Sequence, residues 1–101
     1  MGSRLEFQEV LESLLGSTNV YFQPPPTLQM SYPCVTFRRS GIQTKSADNK
    51  PYSQKTLYSV TVIDKNPDSA IPAKVGELIY SKFDRAYAFD GLNHDVYSVY
   101  F

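Results

Sequence analysis

Apolar residues recur along this chain with two different periods, and the switches between them mark its elements. Phe7, Val10, Leu11 and Leu14 stand at i, i+3, i+4 and i+7, the stripe of a helix buried on one side. Ser3 and Glu6 have the spacing of a capping box, in which hydroxyl and carboxylate satisfy amides left open at a helix start. Gly16 supplies the residue type on which helices commonly end. A helix over Ser3–Leu15 is therefore predicted. Val20–Gln23 reads as a short strand, stopped by Pro24, Pro25 and Pro26, which deny a sheet its amide donors and stiffen the connection. Alternation returns at Cys34–Arg39, where Val35 and Phe37 share one face and Cys34, Thr36 and Arg38 the other.

From Ser40 to Gln54 the chain turns polar, with Gly41, Lys45, Ser46, Asp48, Asn49, Lys50 and Pro51. This stretch is predicted as a long loop, beyond the ~2–5 residues of ordinary hairpin connections, and such excursions are either mobile or functional. Lys55–Asp64 is the clearest strand: Tyr58, Val60 and Val62 face one way, Leu57, Ser59, Thr61 and Ile63 the other. Apolar groups on both faces predict an interior position. Lys65-Asn66-Pro67-Asp68 is a turn, since the proline keeps Asn66 out of the helical region.

A second helix is expected from Ser69 to about Phe83. Pro72 lies in its first turn, where a missing amide hydrogen costs nothing. Val75, Leu78, Ile79 and Phe83 form its stripe, and Gly76 either permits close packing on the sheet or weakens the helix. Arg85–Asp90 and Val96–Phe101 are expected to pair as a hairpin across Gly91-Leu92-Asn93-His94. The order is α-β-β-β-α-β-β: one α+β domain spanning residues 1–101, an antiparallel β-sheet with two helices packed on one face.

The totals narrow the function classes. The chain has 101 residues, 42% of them hydrophobic, enough for one core. Ten basic and ten acidic residues give a formal charge of zero, which argues against a general nucleic-acid coat, because such a coat needs a basic excess to release counterions from phosphates. Cys34 is the only cysteine, so neither an internal disulfide nor a thiolate metal cage is available, and a reducing cytoplasm is the simplest place of synthesis. No run of ~18 apolar residues predicts a membrane span, and no apolar secretory stretch is expected at the start. Eight Tyr and six Phe without Trp suit a sheet-rich domain, and also subunit contacts, where tyrosine offers a flat apolar body with a polar tip.

Little of this points to catalysis. His94 is the single histidine and sits in a predicted turn, where Asp95 beside it in sequence makes neither an orienting acid nor a nucleophile. Cys34 enters a strand after Pro33, an ordinary place for a packed thiol, and only His94 is on hand to deprotonate it. Asp64, Asp68, Asp84 and Asp90 stand at element ends, where Asp is a normal cap or turn residue, and the Asp64–Asp68 stretch lacks the glycine and distal Glu of a calcium loop. No cofactor or metal site and no enzymatic activity are expected. Arg38 and Arg39, with Lys45, Lys50 and Lys55, form the one basic concentration, next to Tyr52. These six are the candidate contacts, to a neighbouring subunit or to passing DNA, although a solvated loop with surface lysines accounts for them as well.

Three stretches together carry a family resemblance: Tyr32-Pro33-Cys34-Val35; Ala47-Asp48-Asn49-Lys50-Pro51-Tyr52 ahead of Tyr58 to Ser69; and Ser81-Lys82-Phe83-Asp84-Arg85 leading to Leu92-Asn93-His94-Asp95-Val96-Tyr97 and an aromatic end. In this combination, from about Tyr32 to Phe101, the chain resembles the tail terminator or tail completion proteins of long-tailed phages and prophages, encoded among head-tail joining genes. The resemblance implies a homo-oligomeric ring, often six-fold, that caps the tail tube protein and meets the head connector or head-closure protein, with DNA passing through without sequence-specific binding. It implies a virion protein of the neck, made in the bacterial cytoplasm, with no membrane partner. Terminator, completion and head-closure roles are not separated by these residues. The rival class is a monomeric adaptor or regulatory binding domain that uses the basic polar segment to hold a partner.

Overall fold

The computed structural model describes residues 4–25, 27–47, 50–78 and 80–101, and within 42–55 the backbone alone. Ser3 of the predicted capping box, Pro26, Ile79 and the Asp48-Asn49 pair lie outside the described residues. Along the chain come α1 (Arg4–Leu15), β1 (Val20–Phe22), β2 (Cys34–Ala47), β3 (Lys50–Asp64), α2 (Ile71–Gly76), β4 (Ser81–Phe89) and β5 (Leu92–Tyr100).

The strands make one five-stranded sheet in the order β1-β2-β3-β5-β4. The class is mixed α+β, and the expectation of a wholly antiparallel sheet is corrected at its first strand. β1 runs parallel to β2, with Val20 opposite Val35 and Phe22 opposite Phe37. The prolines after β1 prevent a tight reversal, and the segment to Pro33 is long enough to carry the chain back to the same end of the sheet. All other neighbours pair antiparallel.

Cross-strand rows explain the core. Phe37, Val60, Tyr97 and Phe83 lie side by side across β2, β3, β5 and β4, and Tyr58 pairs with Val99 in the next row. Phe7 and Leu11 from α1 and Val75 from α2 join that face as fully buried residues. The Phe7 ring meets Phe37 edge-on at 5.5 Å and lies 4.7 Å from Tyr58 and 4.8 Å from Phe101, so one side chain ties α1 to three parts of the sheet. The helix stops where the sequence indicated: Gly16 takes a φ of 80° and donates its amide to Glu12 O at 2.8 Å.

Two further expectations are corrected. The predicted loop over Ser40–Gln54 is strand: β2 continues to Ala47 and β3 starts at Lys50, in one long hairpin. Ladder hydrogen bonds come from the backbone, so a polar stretch such as this one, with three Ser and two Gln, pairs as well as an apolar one. The second helix is Ile71–Gly76 rather than Ser69–Phe83. Tyr80 turns the chain with a φ of 65°, after which Ser81 onward pairs with β5 and gains ladder bonds that a continued helix would forgo. Gly76 reads clearly here: a Cβ would meet the Tyr97 ring at 3.4 Å, so its absence lets α2 approach the sheet.

The last hairpin is tighter than expected. Phe89 stands opposite Leu92, and Asp90 and Gly91 alone make the turn, with φ of 54° and 73°, the two positive values of a type I′ reversal. Leu92, Asn93 and His94 belong to β5, not to a loop. The Lys65–Asp68 turn forms as read, with Asn66 N donating to Asp64 Oδ1 and Asp68 N to Asn66 Oδ1, both at 3.0 Å.

Candidate interaction surfaces

Beyond the globular part, the β2–β3 hairpin continues as a free ribbon. β1 accompanies β2 only as far as Phe37, and β5 accompanies β3 only from Leu57 onward. Thr56, opposite Ile42, still accepts from Phe101 N at 3.0 Å, and from Gln43 opposite Lys55 to Ala47 opposite Lys50 the two strands pair with each other alone. At ~3.3 Å per residue the ribbon projects on the order of 20 Å, in a molecule whose extents are 51 × 24 × 22 Å. A bulge at Ser40, where Arg39 faces Tyr58 and Gly41 faces Leu57, marks its root, and Ser40 Oγ donates to Leu57 O there at 3.2 Å. A second bulge at Tyr52 lies between the pairs Lys45–Ser53 and Ser46–Pro51. Bulges bend and twist a ribbon away from the plane of its sheet.

The predicted site residues divide between root and ribbon. Arg38 and Arg39 are exposed at the root, where Arg39 N donates to Gln23 Oε1 at 3.3 Å. Lys45, Lys50 and Lys55 occupy ribbon positions opposite Ser53, Ala47 and Gln43. Their side chains, and that of Tyr52, lie outside the described residues.

A second surface was missed by sequence reasoning. On the face of the sheet turned away from α1 and α2, Thr36, Thr61, Val96 and Arg85 form one cross-strand row, and Arg38, Ser59, Ser98 and Lys82 the next. Six of these residues, all but Ser98 and Lys82, border an open trough of about 440 Å³ together with Gln23, Pro24, Arg39 and Tyr87. Its floor is hydroxyl-bearing, and its cations stand on opposite sides, Arg38 on β2 and Arg85 on β4. A bulge at Asp84, between the pairs Phe83–Tyr97 and Arg85–Val96, reverses the alternation of β4. That reversal puts Arg85, rather than its acidic neighbour, in the row with Thr61. Asp84 Oδ2 accepts a hydrogen bond from Arg85 Nη1 at 3.0 Å, and the guanidinium stands 5.9 Å from the Tyr87 ring, which itself stacks on His94 at 4.7 Å. The only sequence signal for this surface was the alternation of β4, obscured by the helical spacing of Val75, Leu78 and Phe83.

The chemistry weighed for Cys34 and His94 finds no support in their geometry. They share a cross-strand row with Ile63 between them, so two strand spacings, ~10 Å, separate their backbones. Burial, and then the Asp64 carboxylate, push the Cys34 thiol up to about 11, which keeps it protonated at neutral pH. The ring of His94 is held from its Nδ1 side, 3.2 Å from Leu92 O. Among the described residues, no three His, Cys, Asp or Glu side chains gather as a metal ion requires, and no helix is long and apolar enough to cross a membrane. Neither a protein-family model nor a curated protein matches this chain.

Proposed function

We propose that this chain is a virion assembly protein of the phage neck, a tail terminator or tail completion subunit that closes into a ring, caps the tail tube and meets the head connector. The observation that carries the reading is the β2–β3 ribbon. A two-stranded ribbon is marginal in water unless a third strand or another surface lies against it, and this one outruns both of its neighbours in the sheet. In a ring, an adjacent subunit or the tail tube supplies the missing surface. The ribbon also carries Lys45 and Lys50 away from the body, with Lys55 near its root, where they ease the passage of DNA by charge without reading its sequence. Mechanism on this reading is association, not turnover, and the heterologous interface must rotate each copy by the angle that closes the ring.

The test is excision of Gln43–Lys55 with an Asn-Gly turn joining Ile42 to Thr56, which removes paired residues from both strands and leaves the register of the globular part intact. The purified variant is expected to keep its circular dichroism spectrum and cooperative unfolding. Phage carrying it are expected to give full heads beside unattached or overlong tails in electron micrographs. Normally joined, infectious particles would overturn the neck reading. A wild-type protein that stays monomeric and captures a host protein through the ribbon would favour a monomeric adaptor instead.

A further inference from the structure

Charge is distributed unevenly over this neutral chain. Measured around the helix axis, Leu5, Glu9, Glu12 and Ser13 point away from the buried Phe7–Leu11 stripe, at i, i+4, i+7 and i+8. Leu5, at the N-terminal end of that outer face, is 62% exposed. Arg4 does not offset the carboxylates there, because its guanidinium is drawn to the Phe22 ring at 4.8 Å. The trough lies on the other side of the sheet, and its lining holds Arg38, Arg39 and Arg85 with hydroxyl groups and no carboxylate, although Asp84 pairs with Arg85 beside it. One side of the molecule is therefore a convex acidic ridge with an apolar crest, and the opposite side a concave basic channel.

We infer that the trough between Arg38 and Arg85 receives the outer face of α1 from a second copy of this chain. The dimensions agree. Four strands at ~4.8 Å spacing span about 14 Å, and a helix with its side chains is ~10–12 Å across. The trough is open, which suits a rod laid into it rather than a small ligand enclosed by it. Electrostatics select the orientation: trough against trough brings arginines together, α1 against α1 brings carboxylates together, and only trough against α1 pairs opposite charges. A contact between two different patches on opposite sides is heterologous and passes each copy on to the next, so it generates rings or open helices and not two-fold dimers. Glu9 and Glu12 meet Arg38 and the part of the Arg85 guanidinium not taken by Asp84, Leu5 rests on the floor above the buried Val96, and the Thr36, Ser59 and Thr61 hydroxyls remain available to the ridge's polar atoms. The inference rests on the reading of the chain as a self-associating subunit, and it names the contact.

Charge-reversal exchange on the full chain tests it, with sedimentation velocity across concentration as the readout. Glu9→Lys with Glu12→Lys, and separately Arg38→Glu with Arg85→Glu, are each expected to weaken self-association at least ~10-fold. Mixing the two double variants at equal concentration restores both kinds of contact in alternation, and the quadruple variant restores association with itself. Restoration also shows that the double variants are folded. Raising salt weakens wild-type association, as expected where screening acts over ~8 Å at physiological ionic strength. If both double variants associate like the wild type, the trough contact is wrong while self-association stands. If the wild type remains monomeric up to about millimolar concentration, the subunit reading falls as well. Loss of binding to a single-stranded oligonucleotide in the arginine variant, without any change in self-association, would make the trough a nucleic-acid site and overturn the inference.

Discussion

Phe7 is the side chain whose loss should damage the fold most for its size, and Phe7→Ala tests the account of the core. Its ring is fully buried and lies within 4.7–5.5 Å of Tyr58, Phe101 and Phe37. Truncation removes the apolar surface that docks α1 and leaves a cavity between helix and sheet that the stiff ladder of β2 and β3 cannot close. Phe→Ala at such sites costs about 3–5 kcal/mol, against a total of roughly 5–15 kcal/mol for a domain of this length. At ~4–8 °C per kcal/mol, the midpoint should fall by roughly 12–40 °C. Urea unfolding followed by circular dichroism and tyrosine emission is the assay, since the chain has no tryptophan. The slope with denaturant should remain that of the wild type, because the surface exposed on unfolding is nearly unchanged. Leu5→Ala, at an exposed position of the same helix, should stay within about 0.5 kcal/mol. A loss below ~1 kcal/mol for Phe7→Ala at unchanged slope would refute the view that this ring holds the helix to the sheet.

Three smaller predictions probe two other features. Cys34 is buried and its thiol is raised above the unfolded value of 9.0 to about 11, so a disulfide reagent at pH 8 should modify native protein far more slowly than urea-unfolded protein, and immediate stoichiometric labelling would count against that burial. The raised value also has a sign: the thiol's stabilising contribution is complete below pH 9 and is lost as pH rises through about 11, so the stability gap between wild type and Cys34→Ala should shrink over that window. Gly91→Ala should cost about 1 kcal/mol in urea midpoints, because its φ of 73° disfavours a Cβ while no atom lies within 4 Å of one; no loss even for Gly91→Val would show that the turn does not hold its positive φ.

How far the sequence reached depended on whether a feature is local. The spacing of Phe7 and Leu11, the stop at Gly16, the alternation of Val35 with Phe37 and of Tyr58, Val60 and Val62, and the Asn66-Pro67 turn are fixed by residues within a few positions of one another. Each emerged as read, because steric preference and side-chain periodicity act at that range. Of the six candidate contacts, Arg38 and Arg39 are legible as an exposed basic pair and Lys55 as a strand residue, but Lys45, Lys50 and Tyr52 fall in a stretch whose polarity suggests a loop and which is strand instead. Gly76 posed an alternative in sequence that only the nearby Tyr97 ring resolves.

Tertiary structure alone decided which strands became neighbours. The parallel seating of β1, the identity of β2 and β5 as the neighbours of β3, whose interior position its two apolar faces had indicated, and the gain of Ser81 to Asp84 by β4 all follow from pairings between residues remote in sequence. Such pairings are made by backbone groups that every non-proline residue carries, so no local pattern announces them. The trough is the clearest case: Arg38 and Arg85 share a surface because β3 and β5 lie between their strands and a bulge at Asp84 turns one of them inward. Composition set the charge at zero, and folding put Glu9 and Glu12 on the outer face of α1 and Arg38 and Arg85 on the opposite face of the sheet.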